Sequence, residues 1–311
     1  MLGPGLACSF APAMFRPTSE WKRFHAWLTN GAPQPPQLAE ETPEAVEAHA
    51  ARIEAGFGAL TQELSDYRPD ALVLLASDNG RVFTGVQVPQ FATFLGDELW
   101  GSTRYQELDE EPEDDIVRLA GAPDLAAFVQ RELVRRGFDM SYSKQLRPLG
   151  QPEYGAAPAF VCPARVLAPG LRVPVVPVFV NARVSPMPSG RRCYALGQAL
   201  AEILDERSER VAILACGGLS HDHHHERAGW IDEPFDRWLL DTFSRGKGRS
   251  LEGIFDLESD ALRGGGAEAR LWTIVAGACE AVGRRARIVD YIPSYHAATG
   301  LGFAIWSEAS A

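Results

Sequence analysis

The sequence predicts one α/β domain over residues 1–311, with a central mixed sheet flanked by helices. Residues 70–76 and 210–216 each begin with a charged residue and continue as apolar runs, as expected of strands that are buried on both faces. Amphipathic helical patterns alternate with these strands along the chain. Because strands that alternate with helices are typical of α/β folds, these observations together predict this class.

The helices are marked by capping residues and by prolines. The first is predicted over 18–28 and ends at the prolines of 30–36, which cannot lie inside a helix. A long helix then begins at Thr42, because a threonine cap followed by Pro43 is a favoured start, and it runs to about Tyr67. Further helices are predicted over 124–136, 189–207, 233–245 and 267–282.

The remaining strands and loops are less regular. Residues 171–181 contain alternating valines and two prolines, which predicts an edge or bulged strand, since proline lacks the donor for a sheet ladder. Residues 145–170 are rich in proline and glycine and are predicted to form a long surface excursion, and the acidic residues 107–115 a solvated loop. Two more strands are predicted over 285–292 and 299–306.

Charge and composition argue against two classes of partner. The net charge is −11 and no basic stripe offsets it, so we expect no nucleic-acid partner. No apolar run reaches the length of a membrane span, and the first residues do not have the pattern of a signal peptide. The five cysteines are widely spaced and odd in number, which is typical of reduced thiols in a cytoplasmic protein.

A glycine pair and a histidine follow the strand 210–216. Residues 217–221 read Gly-Gly-Leu-Ser-His, so that His221 is predicted to lie at the carboxyl end of this strand. In open α/β sheets this edge is where ligands bind. A histidine in that position is a candidate general acid or base, and a histidine that only caps the next loop is the structural alternative.

This segment resembles the class III extradiol ring-cleavage dioxygenases, of the protocatechuate 4,5-dioxygenase β-subunit type. In that family a Gly-Gly-Leu-Ser-His run carries the active-site base, and a Phe-Asp-Arg helix follows, as it does here at 235–237. The resemblance covers nearly the whole chain and implies the α/β fold of the family and a small aromatic ligand. Other segments that are similar to the family are 11–17, 192–197, 266–268 and 299–303.

The resemblance implies a non-haem Fe(II) held by two histidines and one carboxylate, with open positions for a catechol and O₂. The base position is His221 and the carboxylate position is Glu268. The first histidine position, in the family's Ser-His-Ala-Pro run, is occupied here by Phe10, and the second, in an Asp-His pair, falls on Asn79 after Asp78.

These substitutions make Fe(II) binding doubtful. Phenylalanine cannot coordinate a metal, and asparagine is a poor Fe(II) ligand, although its amide can hydrogen-bond a phenol. We therefore expect Phe10, Asp78 and Asn79 to contact the substrate, with Glu268 as a residual ligand position. The alternative for Glu268 is an acidic residue that the dipole of the following helix favours.

A histidine tract offers a different metal site. Residues 221–225 read His-Asp-His-His-His, and short histidine tracts can bind metals, so His223 is a candidate ligand. Consecutive side chains diverge, however, and a metal site needs several of them to converge. A surface loop of histidines is therefore the alternative.

Three functions follow from these features. The first is a non-catalytic subunit with a pocket for a phenolic or planar aromatic compound. It would form a homodimer or pair with an iron-bearing paralogue, and the resemblance implies such pairing because related ring-cleaving enzymes use paired subunits. The second is an active ring-cleaving dioxygenase with a rearranged metal site. The third is a metal-free hydrolase or isomerase in which His221 acts as base, assisted by Asp78, Asn79 or Glu268.

Overall fold

A computed structural model describes residues 1–167, 173–223, 226–257, 262 and 264–308 of the chain. The strands are β1 (Leu2–Cys8), β2 (Ala71–Ala76), β3 (Phe91–Phe94), β4 (Glu98–Ser102), β5 (Ile116–Ala120), β6 (Met140–Ser143), β7 (Val175–Val180), β8 (Val211–Cys216), β9 (Ala286–Ser294) and β10 (Thr299–Trp306). The helices are α1 (Trp21–Thr29), α2 (Gln37–Glu40), α3 (Pro43–Tyr67), α4 (Pro123–Arg135), α5 (Pro158–Leu167), α6 (Gly190–Asp205), α7 (Glu233–Ser244) and α8 (Ala269–Ala281).

Eight of these strands form one mixed sheet in the order β6-β3-β7-β2-β8-β1-β10-β9, while β4 and β5 form a separate hairpin. The four central strands β7, β2, β8 and β1 are parallel, and β3 and β10 pair antiparallel on either side of them. The carboxyl ends of the four central strands therefore lie at one edge of the sheet. The predicted mixed sheet flanked by helices is confirmed.

Two hydrophobic cores cover the two faces of the sheet. Along β2, Val73 and Leu75 face one core, and Leu72 and Leu74 face the other, because successive side chains of a strand point to opposite faces. Helices α4, α6, α7 and α8 contribute to the first core, and α1, α3 and α5 contribute to the second. This double burial explains why residues 71–76 are apolar without interruption.

The predicted edge strand at 171–181 is wrong. Strand β7 lies inside the sheet between β3 and β2, and all its residues are buried. Pro177 is compatible with this position because the β3–β7 ladder ends at the pair Thr93–Val178, so that no β3 partner requires an N–H from Pro177. Residues 168–172 lie outside the described part of the chain.

Two predicted loops also differ from the structure. The surface excursion expected over 145–170 contains α5, a helix that is buried along most of its length, because its apolar residues pack into the second core. In the acidic segment 107–115, the side chain of Glu110 is only 8% exposed and pairs with Arg16 at 2.9 Å. The carboxylate of Glu110 can be buried because the guanidinium of Arg16 neutralises its charge. The acidic run in the sequence does not indicate this partner.

Five strands of the structure, β1 and β3–β6, are not predicted by the sequence patterns. The sequence does not predict β1 because residues 3–5 read Gly-Pro-Gly, and these residue types are depleted in sheets. The short helix α2 is not predicted either. The remaining predicted helices, and the strands β2, β8, β9 and β10, agree with the prediction to within about three residues. None of the helices given above combines the length and the apolar character needed to cross a membrane. All five cysteines are buried free thiols.

Helices α6 and α8 cross at very short range, and we expect a Gly197→Ala variant to be less stable. A Cβ atom at Gly197 would lie 2.0 Å from the backbone oxygen of Ile274, so the two helices would have to separate. Overpacking of this kind lowers the free energy of unfolding by about 1–3 kcal/mol, which chemical denaturation would measure.

Gly58→Ala is the matched control. Gly58 lies on the exposed side of α3, and a Cβ atom there meets nothing within 4 Å. The control should raise the free energy of unfolding by up to about 1 kcal/mol, because alanine favours helix over glycine. If Gly197→Ala were as stable as the wild type, the close crossing of α6 and α8 would be wrong.

Candidate functional site

The four central strands each end beside one cavity of about 220 Å³. Phe10 follows β1, Asn79 follows β2, Arg183 follows β7 and His221 follows β8, and all four side chains line the cavity. Glu268, at the start of α8, lines it as well. The cavity thus lies at the edge where ligands bind in open α/β sheets. The further lining residues are Pro12, Trp27, Leu28, Arg81, Tyr105, Glu107, Gln151, Pro158 and His223.

His221 is held as a buried, neutral imidazole. Its Nδ1 lies 3.1 Å from the carbonyl oxygen of Leu219, and we assign a proton to Nδ1 that is donated to this oxygen, which leaves Nε2 as the acceptor. Burial lowers the pKa of His221, although Glu268 raises it, and Arg183 lowers it further. At neutral pH the ring can therefore accept a proton at Nε2.

Gly265 allows this position of the histidine ring. A Cβ atom at Gly265 would lie 1.9 Å from Nδ1 of His221, so the 3₁₀ turn 264–268 can pack against the ring only with glycine there. The backbone N–H of Gly265 also donates to the carbonyl oxygen of His221 at 2.7 Å. The glycine run before α8 thus has a structural role in placing both His221 and Glu268.

Asp236 fixes the turn that carries His221. Its carboxylate accepts hydrogen bonds from the backbone N–H of Ser220 at 2.9 Å, the hydroxyl of Ser220 at 2.7 Å and the hydroxyl of Tyr291 at 2.8 Å. Asp236 is completely buried, and this burial raises its pKa to about 7. The Phe-Asp-Arg motif is thus explained in part by the support that Asp236 gives to Ser220.

Glu268 is a buried carboxylate with two partners. Its Oε2 accepts a hydrogen bond from the backbone N–H of Gly218 at 2.7 Å, and its Oε1 lies 3.7 Å from Nη1 of Arg183. The negative charge is therefore stabilised by a peptide donor and by a guanidinium. This pairing explains how a carboxylate can be buried at the start of α8.

Phe10 and Asn79 both contribute to the cavity, whereas Asp78 does not. Phe10 stacks on Phe15, with ring centroids 5.6 Å apart. Asn79 is exposed and has a left-handed backbone, with φ of 53°. The carboxylate of Asp78 instead accepts hydrogen bonds from the backbone N–H groups of residues 82–83, and burial raises its pKa to about 6. Asp78 lines a neighbouring cavity of about 280 Å³, which also contacts Asn79.

A second histidine of the tract, His223, lies at the cavity beside His221. Its ring stacks on that of His221, with centroids 4.4 Å apart. His224 and His225, which were also candidates for a metal site, lie outside the described residues.

The side chains present do not fit the Fe(II) centre that the resemblance implies. Phe10 has no donor atom, Asn79 offers only an amide, and the carboxylate of Glu268 is paired with a cation. Within the ranges that the structure describes, no group of three or more His, Cys, Asp or Glu side chains is placed to hold a metal ion. We therefore derive no chemical step through a metal at this cavity.

Two arginines at the cavity were not predicted. Arg183 follows β7 as Asn79 follows the neighbouring strand β2. Because β7 was predicted to lie at the edge of the sheet, the sequence did not indicate that Arg183 lies near Asn79. Arg81 is buried and lies against the rings of Tyr105 and Tyr154, 5.5 and 5.2 Å from their centroids. Its guanidinium donates to backbone oxygens such as that of Ser102, at 2.7 Å. The sequence did contain one indication that Arg81 belongs to the cavity, namely its place just after the turn that follows the predicted strand 70–76.

Comparison with known proteins relates this fold to ring-opening enzymes. A family model described as the catalytic LigB subunit of aromatic ring-opening dioxygenase matches residues 32–302. A gallate dioxygenase of Pseudomonas putida is 34% identical over 187 residues, which cover 58% of this chain and 52% of that protein. A 2,3-dihydroxyphenylpropionate/2,3-dihydroxicinnamic acid 1,2-dioxygenase of Photorhabdus laumondii is 28% identical over 204 residues, which cover 64% of this chain and 56% of that protein.

The match therefore spans little more than half the length of these curated relatives. A crystal structure of an uncharacterized protein from Escherichia coli K12 superposes with a TM-score of 0.51 at 13% identity. That comparison covers 97% of this chain and 99% of the other, and at this identity it supports the fold alone.

Asp236 should make the stability of the protein depend on pH. Its pKa is about 7 in the folded protein, against about 3.9 for an unperturbed aspartate in the unfolded chain. Because the folded-state pKa is the higher one, the stabilisation is complete below the unfolded value and is lost as the pH rises through about 7. Asp236→Asn should remove a difference of the order of 2–4 kcal/mol between pH about 4 and about 8.

Urea denaturation at a series of pH values would measure this effect. Asp78, with a pKa of about 6, acts in the same direction, so part of the slope should remain in the variant. Asp241→Asn, on the exposed side of the same helix, is the matched control and should keep the wild-type profile. An unchanged slope in Asp236→Asn would show that this carboxyl does not titrate in the assigned range.

Proposed function

Because the chain belongs to the family of catalytic LigB subunits of aromatic ring-opening dioxygenases, we propose that its cavity binds a small phenolic or other planar aromatic compound. We propose further that the chain is a non-catalytic member of this family, a subunit that pairs with an iron-bearing paralogue or with itself. A cytoplasmic location accords with its five buried free thiols.

One observation carries this proposal. Phe10, Asn79 and a Glu268 that is paired with Arg183 line one cavity, and the resemblance matches these three residues to the family's iron-ligand positions. A guanidinium beside the remaining carboxylate disfavours a divalent cation at the same place, because like charges repel. A cavity whose described side chains cannot hold a metal supports binding without ring cleavage.

The cavity wall suits an aromatic ring. Phe10, Trp27 and Tyr105 supply aromatic surface, and pockets for small molecules combine such surface with a few polar groups. The amide of Asn79 can donate to or accept from a hydroxyl, and Nε2 of His221 can accept from one. A volume of about 220 Å³ limits the ligand to a small compound.

A second candidate function is a metal-free hydrolase or isomerase. It is favoured by His221, because its Nδ1 faces the carbonyl oxygen of Leu219 and its lowered pKa leaves Nε2 unprotonated at neutral pH, so that Nε2 can accept a proton. An active dioxygenase would instead need donors from the histidine tract, of which His221 and His223 are described at the cavity. Turnover without metal that is lost in His221→Ala would favour the hydrolase or isomerase.

Metal loading combined with ligand binding tests the main proposal. We expect no stoichiometric iron after anaerobic Fe(II) loading and no O₂ uptake with protocatechuate or gallate, because two ligand positions have no suitable donor. Isothermal titration calorimetry should nevertheless detect binding of small phenols to the same preparation. Stoichiometric iron together with O₂ consumption would contradict the proposal and favour a rearranged metal site. Co-expression with an iron-bearing homologue, followed by light scattering, would test the pairing.

Restoring the missing ligands should create an iron site. We expect Phe10→His with Asn79→His to raise Fe(II) affinity, because both side chains face the cavity that contains Glu268. Adding Arg183→Met should raise the affinity again, since it removes the cation 3.7 Å from Glu268. Competition with a chelator would measure the affinities.

Phe15→His with Asn79→His is the matched control. Phe15 contacts Phe10 but is not part of the cavity wall, so a histidine there should add no ligand. If the triple variant bound iron no better than this control, the assignment of Phe10 and Asn79 to the two histidine positions would be wrong.

A further inference from the structure

The guanidinium of Arg183 lies at the cavity with donors to spare. Its Nη1 is 3.7 Å from Oε1 of Glu268, a distance that permits charge attraction but is too long for a hydrogen bond. No hydrogen bond joins this guanidinium to another residue of the described ranges. The side chain is 35% exposed, so a ligand in the cavity can reach it. An arginine with five N–H donors is therefore presented to the ligand.

A second cation lies in the same wall. Arg81 is buried, and its hydrogen bonds go to backbone oxygens, including that of Ser102. The described residues place no carboxylate within ion-pair distance of Arg81. The carboxylates of Glu107 and Asp78 attract this cation only from beyond ion-pair distance. Burial of a cation is costly, and an anion in the cavity would lower that cost.

The cavity wall carries two guanidinium groups, one buried carboxylate and one exposed carboxylate, and Asp78 lies in the wall of the neighbouring cavity that Arg183 also lines. Arg81 and Arg183 are cations, Glu268 is the buried anion, and the remaining acidic side chain, that of Glu107, is exposed at the rim. His221 is neutral at neutral pH because burial lowers its pKa.

We infer that Arg183 takes over the role that a metal has in a ring-opening site and binds an ionised oxygen of the ligand. The ligand class is then an aromatic monoanion, a phenolate or an aromatic carboxylate, and the vicinal diol that chelates a metal is not needed. This inference rests on the proposed aromatic pocket. Arginine suits the task because its planar fork forms charge-assisted hydrogen bonds and stays charged at all relevant pH values.

Glu268 limits this interaction. Its carboxylate attracts the same guanidinium and repels an incoming anion, so the affinity reflects competition between ligand and Glu268 for Arg183. Glu268→Gln should therefore tighten anion binding, since a glutamine oxygen can still accept from the N–H of Gly218. Arg183→Gln should have the opposite effect. The two substitutions should therefore change the affinity for an anion in opposite directions, which a loss of folding would not produce.

A chromogenic phenol tests the inference directly. 4-Nitrophenol has a distinct absorbance when ionised, so binding to wild-type protein at a pH below the pKa of the free phenol should increase that absorbance. In Arg183→Gln we expect this increase to vanish and the affinity to fall at least about tenfold, the size expected for the loss of a charge-assisted hydrogen bond. Arg183→Lys should keep part of both effects. Benzoate added in competition should displace the nitrophenolate if carboxylates share the site, and if it does not, the ligand class narrows to phenolates.

Matched ligands and a matched variant separate the possible failures. 4-Nitroanisole, which cannot ionise, should bind more weakly than nitrophenol, and Arg191→Gln, at an arginine that is 81% exposed outside the cavity, should behave as wild type. If nitroanisole bound as tightly as nitrophenol and Arg183→Gln had no effect, the role of Arg183 would be refuted while the aromatic pocket would stand. If neither compound bound the wild type, the aromatic pocket itself would be refuted.

Discussion

The buried carboxylate of Asp236 is the constraint on which the site depends. It accepts hydrogen bonds from the backbone and hydroxyl of Ser220 and from Tyr291, and so joins the turn after β8 to α7 and β9. The same turn is hydrogen-bonded to β10, because the N–H of Leu219 donates to the carbonyl oxygen of Gly300. Because contacts with α7, β9 and β10 fix this turn, the adjacent His221 is held in one position, where its ring packs against the glycine turn before α8.

The charge balance of the cavity is the second constraint. Glu268 is stabilised by the N–H of Gly218 and by the guanidinium of Arg183, so the protein itself compensates a carboxylate that a metal would otherwise neutralise. The fold is that of the ring-opening family to which the chain belongs, whereas the described side chains at the cavity form no group that could hold a metal ion. Function depends on the site rather than on the fold, so membership of the family does not by itself fix the chemistry at this cavity.

The sequence predicted a large part of the fold because its strongest patterns are local. The apolar runs at 70–76 and 210–216 identified β2 and β8, and the cap at Thr42 identified the start of α3. It failed where tertiary context overrides local preference. Pro177 suggested a sheet edge, yet β7 is central because the β3 ladder stops before that proline. Without the correct place of β7, Arg183 could not be recognised as a neighbour of the other strand ends.

The sequence by itself determined which atoms are available at the cavity. Phe10 has no donor, Asn79 has only an amide, and His221 follows two glycines at a strand end, all of which are matters of residue identity and spacing. Only the tertiary structure decided which charges meet. Arg183 and Glu268 are far apart in the chain, and they become partners because the sheet order brings the end of β7 close to the start of α8. Such a contact depends on strand order and helix packing, which no local pattern encodes.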